Sequence, residues 1–510
     1  QPRIINHHKE KEQQQGAKKA TIRRMLAPGI RALEEPIVKR PTNKDANDSS
    51  GEEKLQFPVE FCDHLLLRKT DDATGFGLIR MGNGVTVMSM VFLSSALMTI
   101  ADDDHEEMFG LKPSSLVTAI GTVSGILSAL ILPFMGAVVD STPYRRRVGI
   151  IFTIILVSIQ TVQIASTEHT WRYMAILQAI NGFVFQVMML AAYSYLPEMA
   201  REIGERRMTK YSSKFFMMMF ALESIYLIVV IGISLHFEMN DIATSQVAQS
   251  INLLLAGSCY YYGWKFFTPK KGNRKLSANS SLFVSGFLQV FKTASGIWRH
   301  YRSSLGWYLS AVVFAEAGAN ALTLVSVSYL KDAIEFSGTE IGIMFFIVII
   351  STIPGSAFGA LVTYKTSPPT SMKLQLIFFI LVNCAAFTIL TDRESESYAY
   401  YFGILWGISL GWFYPTESLI FSMTMPKGQE AELAGFFLYC TQIVGWLPPL
   451  VFTIMNERDI SLNLAGMHLN IYLGIAFIFY CLMDPWSKCL EISKSNKMLQ
   501  DQTNDLPEVL

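Results

Sequence analysis

Ser114 to Arg147 reads SSLVTAIGTVSGILSALILPFMGAVVDSTPYRRR. From Ser114 to Val139 no side chain is charged; then one acid, Asp140, precedes three consecutive arginines, Arg145, Arg146 and Arg147. A helix needs about 20 apolar residues to cross a bilayer core of about 30 Å. The block is apolar on all sides instead of alternating, so it reads as a spanning helix and not as a barrel strand. Within lipid, a helix satisfies its own N–H and C=O groups unaided. The arginines mark the end that stays on the basic side of the membrane.

Outward from this block the pattern repeats. Spans are expected at roughly 79–101, 114–138, 148–166, 171–194, 214–236 and 246–268, and, after a long linker, at roughly 303–330, 339–363, 373–390, 398–422, 431–455 and 465–486. The loops carry an independent signal. Those after spans 2, 4, 6 and 8 are basic, with Arg201, Arg206, Arg207 and Lys210 after span 4, and Lys270, Lys271, Arg274 and Lys275 after span 6. Those after spans 1, 5, 7 and 9 are acidic, with Asp102, Asp103, Asp104, Glu106, Glu107, Glu238, Asp241, Asp332, Glu335, Asp392, Glu394 and Glu396. Basic loops stay in the cytoplasm, so both termini are expected there, which requires an even number of spans. The loop after span 10 fits least well, because Lys427 is outweighed by Glu430 and Glu432.

The expected fold is an all-α membrane protein of about twelve transmembrane helices in two pseudo-symmetric six-helix halves. Residues 1–75 read as a disordered cytoplasmic tail, 76–268 as the N-terminal half, 303–487 as the C-terminal half and 488–510 as a second cytoplasmic tail. Within the linker 269–302, Leu282 to Tyr301 is apolar with basic residues at intervals. Phe283, Phe287, Val290, Phe291 and Trp298 are expected on one face of an interfacial helix, with Lys292 and Arg299 near its edge; a loop is the alternative. The halves resemble each other weakly. Gly136-Ala-Val-Val-Asp140 ends span 2 where Gly359-Ala-Leu-Val-Thr363 ends span 8. Paired halves around a midplane site are a usual transporter plan.

Composition agrees with this reading. The 510 residues are 51% hydrophobic and 16% charged, against about 25% charge in soluble domains. The formal net charge is zero, so nothing points to nucleic acid. The six cysteines are scattered without metal spacing, and no metal or cofactor is expected. No phosphate loop and no His-Glu-x-x-His pair is present, so an enzyme is not expected and transport must run on gradients. His105-Glu106-Glu107 matches the zinc pattern only superficially. No cleavable leader is visible, so span 1 is expected to act as its own insertion signal.

The run GAVVDSTPYRRR resembles the signature loop of major facilitator transporters. Gly136 is expected to permit close packing, and Asp140, with the arginines, to form a conformational latch. More specifically, the chain resembles the autophagy-associated vacuolar amino-acid effluxer family. Pro133, Gly136 and Asp140 match its run after span 2, and Tyr193, Leu196, Pro197, Glu198 and Ala200 its element ending span 4. Pro426, Lys427, Gly428, Glu432, Gly435 and Phe436 match the stretch after span 10, and Trp446, Leu447, Pro449 and Leu450 a run in span 11. The resemblance covers most of 75–486. It implies amino acids as cargo, autophagy as context and a vacuolar or other endomembrane address, with the plasma membrane as an alternative. The chain departs from the family at Lys210–Met219, at Glu417-Ser418-Leu419 and at the position of Glu316, all places suited to touching substrate.

A charge at the bilayer centre costs about 2.5–3.5 kcal/mol on insertion scales, so each one asks for a reason. Glu223 in span 5, Glu316 in span 7 and Glu417 in span 10 are candidates for proton coupling or substrate contact; helix pairing is the alternative. Asn83 lies between Gly82 and Gly84, and Asn320 follows Gly318-Ala319; interhelical packing is the competing account of both. Asn181 and Gln186, with Gln178 and Gln442, are cavity-lining candidates for which helix-to-helix hydrogen bonds compete. Arg80 sits at the basic edge of span 1, where snorkelling is the first reading; lying deeper, it would pair with an acid or bind a carboxylate. Tyr414 and Pro415 are expected to break span 10 near Glu417. The expected partners are membrane lipid, a small-molecule substrate and protons. A sugar, glycoside or cofactor symporter of the same fold remains open, as does a receptor or scaffold that keeps the fold without transporting.

Overall fold

The computed structural model describes residues 71–103, 110–196, 199, 205–269, 282–426 and 430–493. Pro197, Glu198 and Gly428, most of the acidic loop after span 1 and the linker before Leu282 lie outside the described residues. Helices stand at all twelve expected spans. Spans 1 to 6 are Asp71–Asp103, Pro113–Ser141, Arg145–Gln163, Trp171–Tyr193, Glu205–His236 and Asp241–Phe266. Spans 7 to 10 are Trp307–Asp332, entered through a π turn at Arg302–Gly306, then Gly338–Lys365, Pro368–Ile389 and Glu396–Thr424. Span 11 joins Glu430–Gln442 to Leu447–Glu457, and span 12 joins Leu462–Met467 to Leu469–Leu482. Span 1 begins at Asp71, several residues before the expected end of the tail.

Ten of the twelve are long and apolar enough to cross a membrane. The other two, spans 6 and 10, have 26 and 29 residues, or about 39 Å and about 43 Å at 1.5 Å per residue. Span 6 is the more polar because its polar side chains face its neighbours. Asn252 donates to Gln160 of span 3 at 3.0 Å and accepts from Thr86 of span 1 at 3.2 Å. Gln249 donates to the Ser89 carbonyl at 3.2 Å. Such bonds place polar groups at helix interfaces and leave the lipid face apolar.

Spans 8 and 10 pack tightly, because glycines let their backbones touch. A Cβ on Gly411 would stand 2.1 Å from the Thr352 carbonyl oxygen, and one on Gly407 2.3 Å from that of Val348. In return, a Cβ on Gly355 would meet the Ile408 carbonyl at 2.5 Å. Backbone atoms cannot swing aside, so even a methyl group must push the helices apart. Gly411→Ala is expected to destabilise the fold by about 1–3 kcal/mol, read as a lower melting temperature in detergent. Gly257→Ala, where a Cβ would meet nothing within 4 Å, is the neutral control.

Span 10 is not broken at Pro415. The proline removes the N–H that would bond the carbonyl four residues earlier, at Gly411. The Ser356 hydroxyl of span 8 donates to that carbonyl at 2.9 Å instead, and the helix runs through. The break falls in span 11. Pro448 and Pro449 follow each other there, and the helix unwinds between Gln442 and Leu447. The turn lies against the other half: a Cβ on Gly125 of span 2 would stand 2.7 Å from Cβ of Trp446.

The halves also meet at the end that carries the acidic loops. Asp241, opening span 6, accepts from Lys331 Nζ of span 7, from the Gly338 N–H of span 8 at 2.7 Å and from Thr99 of span 1 at 2.7 Å. The Lys331 and Asp241 side chains keep only 17% and 10% of their exposure. Ser234 and Thr339 share a bond of 2.7 Å, Thr118 and Thr453 one of 2.8 Å, and Asn456 donates to Ser114 and Ser115. Lys112 reaches Asp459 at 2.6 Å, but that acid is 88% exposed, and exposed pairs contribute little. Among the described hydrogen bonds, every one that joins the two halves lies at this acidic end.

The linker forms the helix Leu282–His300. Its expected single apolar face divides in two. Gly286, Thr293 and Ile297 turn inward, and a Cβ on Gly286 would stand 2.3 Å from the Pro133 carbonyl oxygen of span 2. Leu288, Phe291 and Trp298 face outward, with Phe291 70% exposed.

Candidate functional site

Glu316 stands near the middle of span 7 and Glu417 in the last third of span 10. They are 6% and 2% exposed, and their carboxyl groups lie within hydrogen-bonding reach of each other. Glu316 accepts from the Asn320 amide at 3.0 Å, one helical turn along the same face. The Asn320 amide oxygen in turn accepts from the Tyr414 hydroxyl at 3.3 Å, and Asn320 itself is open to solvent. Tyr308 donates to the backbone carbonyl of Glu417 at 2.9 Å, which fixes the depth of span 10 against span 7. Tyr480 of span 12 completes the wall with a buried hydroxyl.

Among the described residues, no donor reaches Glu417 Oε1. Two carboxylates cannot both hold a charge this close in a dry interior. A proton on one of them supplies the missing donor, and the pair titrates as a unit. Asn320 connects that unit to solvent. The arrangement can take up a proton and release it, and its wall of tyrosines keeps bulk water out.

A second group lies in the other half. Arg80 of span 1 is turned inward and is 9% exposed, so it does not snorkel. Its guanidinium donates to the Tyr193 hydroxyl of span 4 at 2.8 Å and lies 4.7 Å from the ring centroid of Phe216 in span 5. Glu223, 4% exposed, is within electrostatic reach of Arg80, and its Oε2 has no hydrogen-bond partner.

The remaining candidates divide. Asn83 is committed to packing: its amide approaches Met189 Sδ at 2.6 Å, and its oxygen accepts from Tyr260 at 3.2 Å. The flanking glycines make room for neighbours, Tyr260 beside Gly82 and Glu223 beside Gly84. Asn181 is fully buried with neither amide atom bonded, and Gln186 is half-buried. Gln178 bonds Gln163 at 3.0 Å. Gly136 holds nothing close, since a Cβ there would meet no atom within 4 Å; the close packing expected of it is absent. Arg145 is buried under the Tyr195 ring, Arg146 donates to the Trp264 carbonyl at 2.9 Å, and Arg147 lies over Tyr144. The side chains of Asp140 and Glu432 lie outside the described residues. Pro426 is buried and Gly435 exposed. No metal-binding cluster occurs among the described residues.

Sequence reasoning found the acids and missed what surrounds them. Tyr308 and Tyr480 looked like ordinary span aromatics, and Tyr414 was read as part of a helix break and not as a partner of Asn320. Lys331 carried a usable signal, being a lone base in an acidic loop.

Several solved transporters share the fold. The nucleoside transporter NupG, in a point-mutant form, superposes with a TM-score of 0.57 at 11% identity, over 81% of this chain and 100% of that one. A bacterial homologue of the iron transporter ferroportin gives a TM-score of 0.55 inward-facing and 0.51 outward-facing. Both are 14% identical over 81% of this chain, and over 99% and 98% of theirs. At these identities the likeness is one of fold. No curated protein matches the chain. The vacuole effluxer Atg22-like family model matches residues 107–489, so this multi-pass, major-facilitator-type transporter belongs to that family.

Proposed function

We propose that this protein moves amino acids across an endomembrane, the vacuolar one first, by proton-coupled alternating access. The observation that carries the coupling is the Glu316–Glu417 pair, a proton-binding unit buried at membrane depth with one exit through Asn320. The amino-acid cargo and the address follow from the family. The basic loops and both termini lie in the cytoplasm, so the acidic end faces the lumen. With that end closed by the Asp241 and Asn456 bonds, the site opens toward the cytoplasm, the orientation in which an exporter releases cargo.

Purified full-length protein in liposomes, under an imposed proton gradient, tests this. Gradient-dependent flux of labelled amino acids is expected. Flux of sugars or nucleosides alone would overturn the cargo, and amino-acid flux indifferent to the gradient would overturn the coupling. Folded protein that moves nothing would favour a receptor or scaffold.

A further inference from the structure

The buried cation Arg80 and the buried acid Glu223 remain outside the proton unit, and their geometry is specific. Arg80 and Gly84 are four residues apart, so they lie one above the other on the same face of span 1. Span 5 runs alongside that face. Its Phe216 ring sits under the Arg80 guanidinium, while Glu223 fills the room left by Gly84: a Cβ there would be 2.9 Å from Glu223 Oε2 and 3.1 Å from its Cβ. Glu223 thus stands beyond the cation along span 1, seven residues on from Phe216 in span 5. A guanidinium carries five N–H donors, and the hydrogen bond described for this one goes to Tyr193. Glu223 Oε2 accepts from nothing. A buried cation beside a buried carboxylate oxygen that has no donor is costly to maintain. A ligand carrying the opposite charges would satisfy both.

We infer that Arg80 and Glu223, with Tyr193 and Phe216, form the site for the zwitterionic head group of the cargo, with Arg80 taking the carboxylate and Glu223 the ammonium. This rests on the amino-acid reading above. It divides the labour between the halves: spans 1, 4 and 5 hold the cargo, and spans 7, 10 and 12 hold the proton. The Phe216 face and the Tyr193 hydroxyl fix the plane of the guanidinium, so its remaining donors are presented as a fork. Lysine would supply the charge without the fork.

The test uses the full chain in liposomes without a gradient, measuring leucine exchange and its inhibition by two fragments. The first, 3-methylbutylamine, is leucine without its carboxylate; the second, 4-methylpentanoate, is leucine without its amine. In Arg80→Gln the half-saturation for leucine should rise about 10- to 100-fold, the worth of one charged hydrogen-bond set. Inhibition by the amine should stay as in the wild type and inhibition by the acid should vanish. In Glu223→Gln the pattern should reverse, with amine inhibition lost and acid inhibition retained. Arg80→Lys should fall between the wild type and Arg80→Gln. A melting curve matching the wild type establishes that each variant is folded. Equal loss toward both fragments, or unchanged leucine affinity in folded Arg80→Gln, would overturn the assignment while leaving amino-acid transport standing. A wild type that ignores leucine and every other amino acid would overturn the cargo reading itself, and this site with it.

Discussion

Glu417→Gln is expected to abolish proton-driven accumulation while leaving gradient-free exchange intact. A gradient of two pH units on one coupled proton is worth about 2.7 kcal/mol, enough for about 100-fold accumulation. The variant should accumulate nothing above equilibrium. Glutamine keeps the size of the side chain, and the Tyr308 bond goes to the backbone of residue 417, so the seat of span 10 survives. What changes is the proton. The new amide donates permanently to Glu316, which already accepts from Asn320, and the pair loses its exchangeable hydrogen. Glu316→Gln should do the same from the other side. Uptake with and without the gradient, set against exchange of labelled for unlabelled substrate, gives the readout. Retained accumulation in folded Glu417→Gln would remove the pair from the coupling step.

Asp241→Asn should shift the balance between the two orientations by about 100- to 5,000-fold, since removing one partner of a buried pair costs about 3–5 kcal/mol and leaves the other charge stranded. The Lys331–Asp241 pair is largely buried and crosses from one half to the other. The cost falls on the closed acidic end alone, since opening that end returns Lys331 to water. A cysteine at Leu324, which packs on Gly121 of the opposite half, reports the change in a background freed of native cysteines. An impermeant maleimide added on the acidic side should label it slowly in the parent and rapidly with Asp241→Asn. Equal labelling would mean that the pair does not set the orientation. Asp459→Asn at the exposed Lys112 contact should change little.

How much was legible depends on whether the signal was local. The spans were, because each apolar block stands alone in the chain. Even the two most polar, 6 and 10, fell in place from their length and from the loops around them. The break was misplaced because proline acts through partners that sequence does not show. Pro415 leaves a carbonyl at Gly411 that Ser356 repairs from another span. Pro448 and Pro449 delete two successive donors, and there the helix unwinds. Glu316 and Glu417 were each conspicuous as charges in apolar surroundings, but nothing in the long stretch between them says that they meet. Arg80 was misjudged for a related reason: its depth fits the interface, and only the packing of Tyr193 and Phe216 shows that it turns inward. At Gly136, the centre of the most recognisable motif, a Cβ would meet nothing among the described residues, whereas Gly407 and Gly411, in no recognised motif, hold two backbones together.

Among the described residues, the hydrogen bonds that join the halves are gathered at one end, which makes that end a clasp. The Asp241 and Asn456 contacts hold the acidic end shut, as a spring-loaded valve rests closed. The exposed contact at Asp459 contributes little, so the clasp leans most on the buried Lys331–Asp241 pair.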